Sequence, residues 1–254
     1  MNRTFINRAL FRMAAVSVFF GFALAGTAAA QDFQKSYQIG AGGEVRVSTV
    51  SGDVIVEGYD GSAIVVTGFK KGRDLDMVDI EDRSTAGNID VSVRYPKNCN
   101  CDVSVRFEVK VPRSVAYDFD RVSSVSGNVE MSGVTGKVHA SAVSGDVKVR
   151  NVAGSVSASS VSGDVDVEID RLEGAESMKF SSVSGDVDVR LPSSLGADIS
   201  MSSFSGSVKS DFPIEIKQER YGSRNSARGK VGDGSRSLRM SSVSGSLSLT
   251  YSGR

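Results

Sequence analysis

A five-residue phrase, Val-Ser-Gly-Asp-Val, returns along this chain at short intervals, and that recurrence restricts the folds open to it more than any other feature. It stands at Val50–Val54, at Val125–Val129 with Asn in place of Asp, and at Val143–Val147, Val161–Val165 and Val183–Val187. It weakens to Phe204-Ser-Gly-Ser-Val208 and Val243-Ser-Gly-Ser-Leu247. Half-strength copies, Val134-Thr-Gly-Lys-Val138 and Val152-Ala-Gly-Ser-Val156, fall midway between strong ones, giving a nine-residue beat from Ser123 to Val167. A short fixed period means one small unit stacked on copies of itself, because a single unit cannot bury its own apolar face.

Alternation with β-branched Val, and no helical i, i+3, i+4 pattern, predicts strands throughout the repeat. Read as one strand, the block at Val125 puts Val125, Gly127, Val129 and Met131 on the inner side, with Ser126, Asn128 and Glu130 outside. The next block, Val134, Gly136, Val138 and Ala140, has the opposite parity, so a corner must rotate the chain every nine residues. Ser-Gly is also a common turn pair, and the other reading places Gly127, Gly145 and Gly163 at corners. Strong copies 18 residues apart predict an all-β, single elongated β-solenoid, with two unequal sides per turn and like residues stacked about 4.8 Å apart.

Outside that window the beat loosens. Arg171–Ser177 reads as a bulged-out loop, and the basic, Gly/Ser-rich stretch 217–239 as a surface loop before the last turn. Val45 to Phe69, Ile89 to Val93 and Val103 to Val111 alternate well and read as strands.

Residues 1–30 read as a signal peptide: Arg3, Arg8 and Arg12 precede an apolar run from Met13 to Ala25, and Thr27-Ala28-Ala29-Ala30 offers small residues for cleavage. The apolar run is well short of the roughly 20 residues that span a bilayer. The mature chain, 31–254, is expected to be exported to the periplasm or the extracellular space, without a transmembrane segment. Lys plus Arg equals Asp plus Glu at 30 each, which argues against a nucleic-acid binder, since such a protein carries a basic excess.

Val50-Ser-Gly-Asp-Val-Ile-Val-Glu-Gly-Tyr59, then Phe107-Glu-Val-Lys-Val-Pro112, the tandem Ser-Gly-Asp units, and Gly229-Lys-Val-Gly-Asp-Gly234 before a final Ser-Gly unit resemble the DUF4097 family. These are bacterial proteins labelled "putative adhesin", and the resemblance covers roughly residues 40–251. It implies a β-solenoid-like fold and brings no catalytic residues with it.

Candidate chemistry is sparse. Asp146, Asp164 and Asp186, with Asn128, form an expected outer row. As a cation site the row is a weak candidate, because calcium-binding nonapeptides use Gly-Gly-x-Gly-x-Asp and the half-copies here carry Lys137 and Ser155. The more economical reading is a solvated polar ladder. Ser126, Ser144, Ser162, Ser184, Ser205 and Ser244 would form a hydroxyl-rich face able to adsorb a glycan, or simply a solubilising coat. Arg220, Arg224, Arg228 and Lys230 in the basic stretch could contact an anionic envelope polymer. Cys99 and Cys101 could close a small disulfide loop in an oxidising compartment. The single histidine, His139, supports neither a metal cluster nor a Ser–His–Asp arrangement. No cofactor is called for. The expectation is a non-catalytic, structural or adhesin-like envelope protein, the alternative being a β-helix polysaccharide lyase or hydrolase.

Overall fold

The computed structural model describes residues 32–218 and 225–252. The expected leader, 1–30, lies outside them. Among the described residues no helix is long and apolar enough to cross a membrane, and the only helical piece is a 3-10 turn, Leu75–Met77.

The strands of the first half are β1 (Phe33–Tyr37), β2 (Glu44–Ser51), β3 (Val54–Tyr59), β4 (Ile64–Gly72), β5 (Asp79–Asp82), β6 (Asn88–Arg94), β7 (Val103–Pro112), β8 (Ala116–Ser126), β9 (Val129–Ser132) and β10 (Thr135–Ser144). Those of the second half are β11 (Val147–Ser162), β12 (Val165–Arg171), β13 (Met178–Ser184), β14 (Val187–Leu191), β15 (Ala197–Ser205), β16 (Val208–Ser210), β17 (Glu215–Gln218), β18 (Asn225–Val231), β19 (Arg236–Ser244) and β20 (Leu247–Tyr251). The expectation of an all-β chain holds.

Pairing sorts them into two ladders. In the first, β6, β2, β8, β10, the second half of β11, β13, β19 and β15 run parallel in that order. In the second, β7, β3, β9, the first half of β11, β12, β14, β20 and β16 do the same. Each layer contributes a strand to both. β11 passes from one ladder to the other without a break, turning at Asn151, whose φ of 53° is left-handed backbone that Asn tolerates better than most residues. In the middle of the stack the register offset is 18 residues, as in Val129↔Val147↔Val165.

Layer order departs from chain order at both ends. The layer β2/β3 sits between β6/β7 and β8/β9, although it precedes both in sequence. The layer β19/β20 sits between β13/β14 and β15/β16, although it follows both. The repeat period reports spacing within a run of consecutive turns, so it carries no information about a late strand inserting between earlier ones.

Antiparallel strands cover three of the four ladder ends, the edge of β16 being left without one among the described residues. β5 pairs with β6, β4 with β7 and β1 with β4 at one end, while β18 pairs with β15 and β17 with β18 at the other. The stretch 217–239, expected as a loop, is therefore strand over most of its described length. Asn225–Val231 satisfies the backbone edge that β15 would otherwise expose.

Between the ladders lies one apolar core. Val54, Val129, Val147, Val165, Val187 and Leu247 form a fully buried column, and Phe107, Phe119 and Phe180 fill its wider parts. Each such valine contributes about 1.5–3 kcal/mol relative to exposure.

The face assignment for the strong copies needs correction. Val125 is 44% exposed, whereas Val129 and Met131 are buried. β8 ends at Ser126 and β9 starts at Val129, so the two valines of the phrase lie on different strands with a corner between them. Gly127, Gly145 and Gly163 occupy those corners, at φ of 154–156°. A Cβ on Gly145 would lie 2.2 Å from the Gly127 carbonyl oxygen, and one on Gly163 would lie 2.1 Å from that of Gly145. The corners stack so closely that only glycine fits. At the half-strength corners the leading valine turns inward, leaving Val134 and Val152 at 1% and 0% exposure.

Candidate functional site: the outer face of the first ladder

Corner chemistry is accounted for by structure. Asp53 Oδ1 accepts the Asn128 amide at 2.8 Å, and Asn128 Oδ1 accepts the Asp146 amide at 2.9 Å. Asp146 Oδ1 then accepts from Asp164 at 3.0 Å, Asp164 from Asp186 at 2.8 Å, and Asp186 from Ser246 at 2.7 Å. The structure brings the predicted Asp row together as a chain of side chain-to-amide bonds between layers. Among the described residues no group of three or more His, Cys, Asp or Glu is placed to hold a metal ion.

The predicted serines also line up, in the register Ser126↔Ser144↔Ser162↔Ser184↔Ser244↔Ser205. They are exposed at the corner, beside the exposed side chains of Val50, Val125, Val143, Val161, Val183, Val243 and Phe204. One residue before each of these apolar side chains except Val143 lies a buried hydroxyl that sequence reasoning passed over. Ser124 donates to the Gly52 carbonyl at 2.8 Å, Ser160 to Gly145 at 2.9 Å and Ser182 to Gly163 at 2.9 Å. Ser242 donates to Gly185 at 3.1 Å and Ser203 to Gly245 at 2.7 Å. Ala142 occupies the equivalent place between Ser124 and Ser160 and has no hydroxyl to offer Gly127.

The broad outer face of the first ladder carries two further rows. Two residues before each corner valine or phenylalanine stands a serine, in the register Ser48↔Ser123↔Ser141↔Ser159↔Ser181↔Ser241↔Ser202↔Ser226. The column has no gap. Four residues before the same corners stand Arg46, Arg121, His139, Ser157, Lys179, Arg239 and Ser200, and beyond Ser200 the paired strand supplies Arg228. No member of this row is acidic, although the register continues to Asp90 beside Arg46 at one end and to Glu215 beside Arg228 at the other.

The charges of this row are largely uncompensated. Arg46 is the exception: its Nε donates to Asp120 Oδ2 at 2.7 Å and its Nη2 lies 3.0 Å from Glu44. That hydrogen bond holds the Asp120 carboxyl below the usual carboxylate range. Arg121, Lys179, Arg239 and Arg228 form no salt bridge among the described residues. The second ladder behaves differently. There Arg150 and Arg190 both bind Asp166 at 2.7 Å, and Arg106 binds Glu108 at 2.9 Å. Burial pushes the Asp166 carboxyl up, but the Arg150 hydrogen bond and the Arg190 charge outweigh it and leave the group below its ordinary value.

Two open depressions follow the first ladder's rows. One, of about 500 Å³, is lined by Arg121, His139, Ser141, Ser159 and Lys179 among others. The other, of about 490 Å³, is lined by Lys179, Ser200, Arg228, Arg239 and Ser241 among others. They meet at Lys179.

Of the predicted basic residues, Arg228 lies on this face and Lys230 pairs in register with Asp198. Arg220 and Arg224 fall outside the described residues. Cys99 and Cys101 are joined as a disulfide in the connection between β6 and β7, with Cα atoms 5.2 Å apart, far from the rows. The sequence did carry a signal for the missed residues: the positions two and four before each strong corner, read as columns, hold only hydroxyl, Arg, Lys and His side chains.

A family model described as Toastrack DUF4097 matches residues 34–250. Among solved structures, the chain is similar to a putative cell adhesion protein from Clostridium sporogenes, at 11% identity over 86% of this chain and 99% of that one, with a TM-score of 0.47. It is also similar to a putative adhesin from Bacteroides fragilis, at 13% identity over 86% of this chain and 96% of that one, with a TM-score of 0.41. No curated protein matches the chain.

Proposed function

The chain belongs to the Toastrack DUF4097 family, and from that premise we propose that it is a non-catalytic, adhesin-like protein of the cell envelope. In this reading the two ladders are a short β-solenoid whose first face holds an extended glycan or envelope polymer. The observation that carries the reading is the unbroken serine column from Ser48 to Ser226. A hydroxyl at every layer offers the same weak contact again and again, and contacts of that kind gain strength together along a polymer chain. Export follows from the leader-like 1–30 segment. A polysaccharide-cleaving enzyme, the competing reading, would work from a groove in which carboxylates and a base converge, whereas the two depressions of the first face hold one lining carboxylate, Asp120, which is hydrogen-bonded to Arg46.

The test is retention of envelope polysaccharides by purified 31–254, followed by sizing of the recovered polymer. Retention with unchanged polymer length is expected. Shortened products would overturn the non-catalytic reading, and failure to retain any polymer would overturn the binding one. Ser141→Val together with Ser181→Val, which remove two hydroxyls from half-buried positions, should weaken retention several-fold.

A further inference from the structure

We propose that the row four residues ahead of the corners selects a polysaccharide bearing one carboxylate per sugar, a polyuronate-type chain. The proposal rests on the polymer-binding reading above and specifies the chemistry of the polymer.

The first argument is charge. Arg121, Lys179, Arg239 and Arg228 share one face and form no salt bridge among the described residues, whereas the arginines of the opposite face are tied to carboxylates. Among the acids bordering the row, Asp120 is held by Arg46, Glu176 lies 3.6 Å from Lys137, and Glu215, in register with Arg228, lies 3.6 Å from Lys217. An anionic ligand therefore meets cations on this face without displacing internal partners.

Spacing and shape supply the second argument. From Arg121 on β8 to Arg228 on β18 there are six layer steps, which at the ordinary strand separation is about 29 Å. An extended pyranose chain advances by a comparable distance per sugar, so successive carboxylates can meet successive layers. The serine column beside the row is placed to exchange hydrogen bonds with ring hydroxyls, while Arg121, Arg239 and Arg228 offer the planar fork that fits a carboxylate with two hydrogen bonds. Neither row contains a Phe, Tyr or Trp side chain. The stacking platforms used for single-stranded nucleic acids are missing from it.

The experiment compares polygalacturonate with its fully methyl-esterified form, which keeps the backbone and removes the charge, using calorimetry on the 31–254 chain. The acid should bind at least about tenfold more tightly than the ester, with the difference shrinking as salt is raised. The double variant Lys179→Glu/Arg239→Glu should lose at least about tenfold in affinity for the acid. Lys110→Glu/Lys209→Glu, which changes net charge equally on the second ladder, should bind as the parent does. All four positions are on the surface, and matching thermal melts would establish that folding is intact. Equal affinity for acid and ester, or an unaffected Lys179→Glu/Arg239→Glu variant, overturns the carboxylate proposal while leaving the polymer-binding reading standing. Tighter binding of inorganic polyphosphate than of polygalacturonate overturns the choice of carboxylate. Failure of both acid and ester to bind overturns both.

Discussion

Ser160 and Ala142 occupy equivalent places in neighbouring layers, and the single oxygen atom between them separates a satisfied corner from an unserved one. Ser160→Ala removes the donor to the Gly145 carbonyl and should cost about 1–2 kcal/mol. Ala142→Ser adds the matching donor for Gly127 and should stabilise by up to about 1 kcal/mol. Urea melts of the two variants check both signs together, and a stabilising Ser160→Ala would mean that the row is not a bonding row. Gly145 is held more strictly: a Cβ there lies 2.2 Å from the next corner's oxygen, so Gly145→Ala should destabilise by more than about 2 kcal/mol. Asp166 provides a titratable case. Its folded-state value is depressed, so its contribution is complete above the unfolded carboxylate value and disappears as pH falls through the folded one. Asp166→Asn should cost about 1 kcal/mol at neutral pH, the arginine partners being part-exposed. The penalty should shrink as pH falls below the unfolded value of about 3.9 and on through the depressed folded one. An undiminished penalty at low pH would show that the loss comes from packing.

At the scale of elements, the inserted layers set the behaviour of the ends. In a rod laid down in chain order, removing 236–254 would shave off the terminal turn. Here β19/β20 lies between β13/β14 and β15/β16, so the same truncation should release 197–218 as well. Limited proteolysis should then trim the truncated chain back to near Leu191, and a protected 197–218 would contradict the layer order. This feature could not be read from the sequence. Strand content, the central 18-residue offset and the corner serine row follow from local alternation and period, and those were legible, whereas the serine column two residues before each corner was passed over. The exposed side of Val125 was misread because Val125 and Val129 share parity, and parity ceases to mean a shared face once Gly127 turns the chain. The strand at Asn225–Val231 was hidden by its polar composition, which suits an edge strand with one face on water.

For the whole molecule, the two ladders divide the work. The second ladder neutralises its own charges across layers through Arg150, Asp166 and Arg190, while on the first Arg121, Lys179, Arg239 and Arg228 form no salt bridge among the described residues. Sequence composition reports only their sum, a net charge of zero, and conceals the asymmetry between faces. The columns emerge when positions are counted backward from each corner.

A ribosome releases this chain from one end only, yet the layer near its beginning waits for neighbours made roughly fifty to seventy-five residues later. The pleat nearest its finish must wedge into a gap between two segments that emerged before it. Completion of both ends is thus deferred until the last strand has been released, while the middle layers can pair as they emerge.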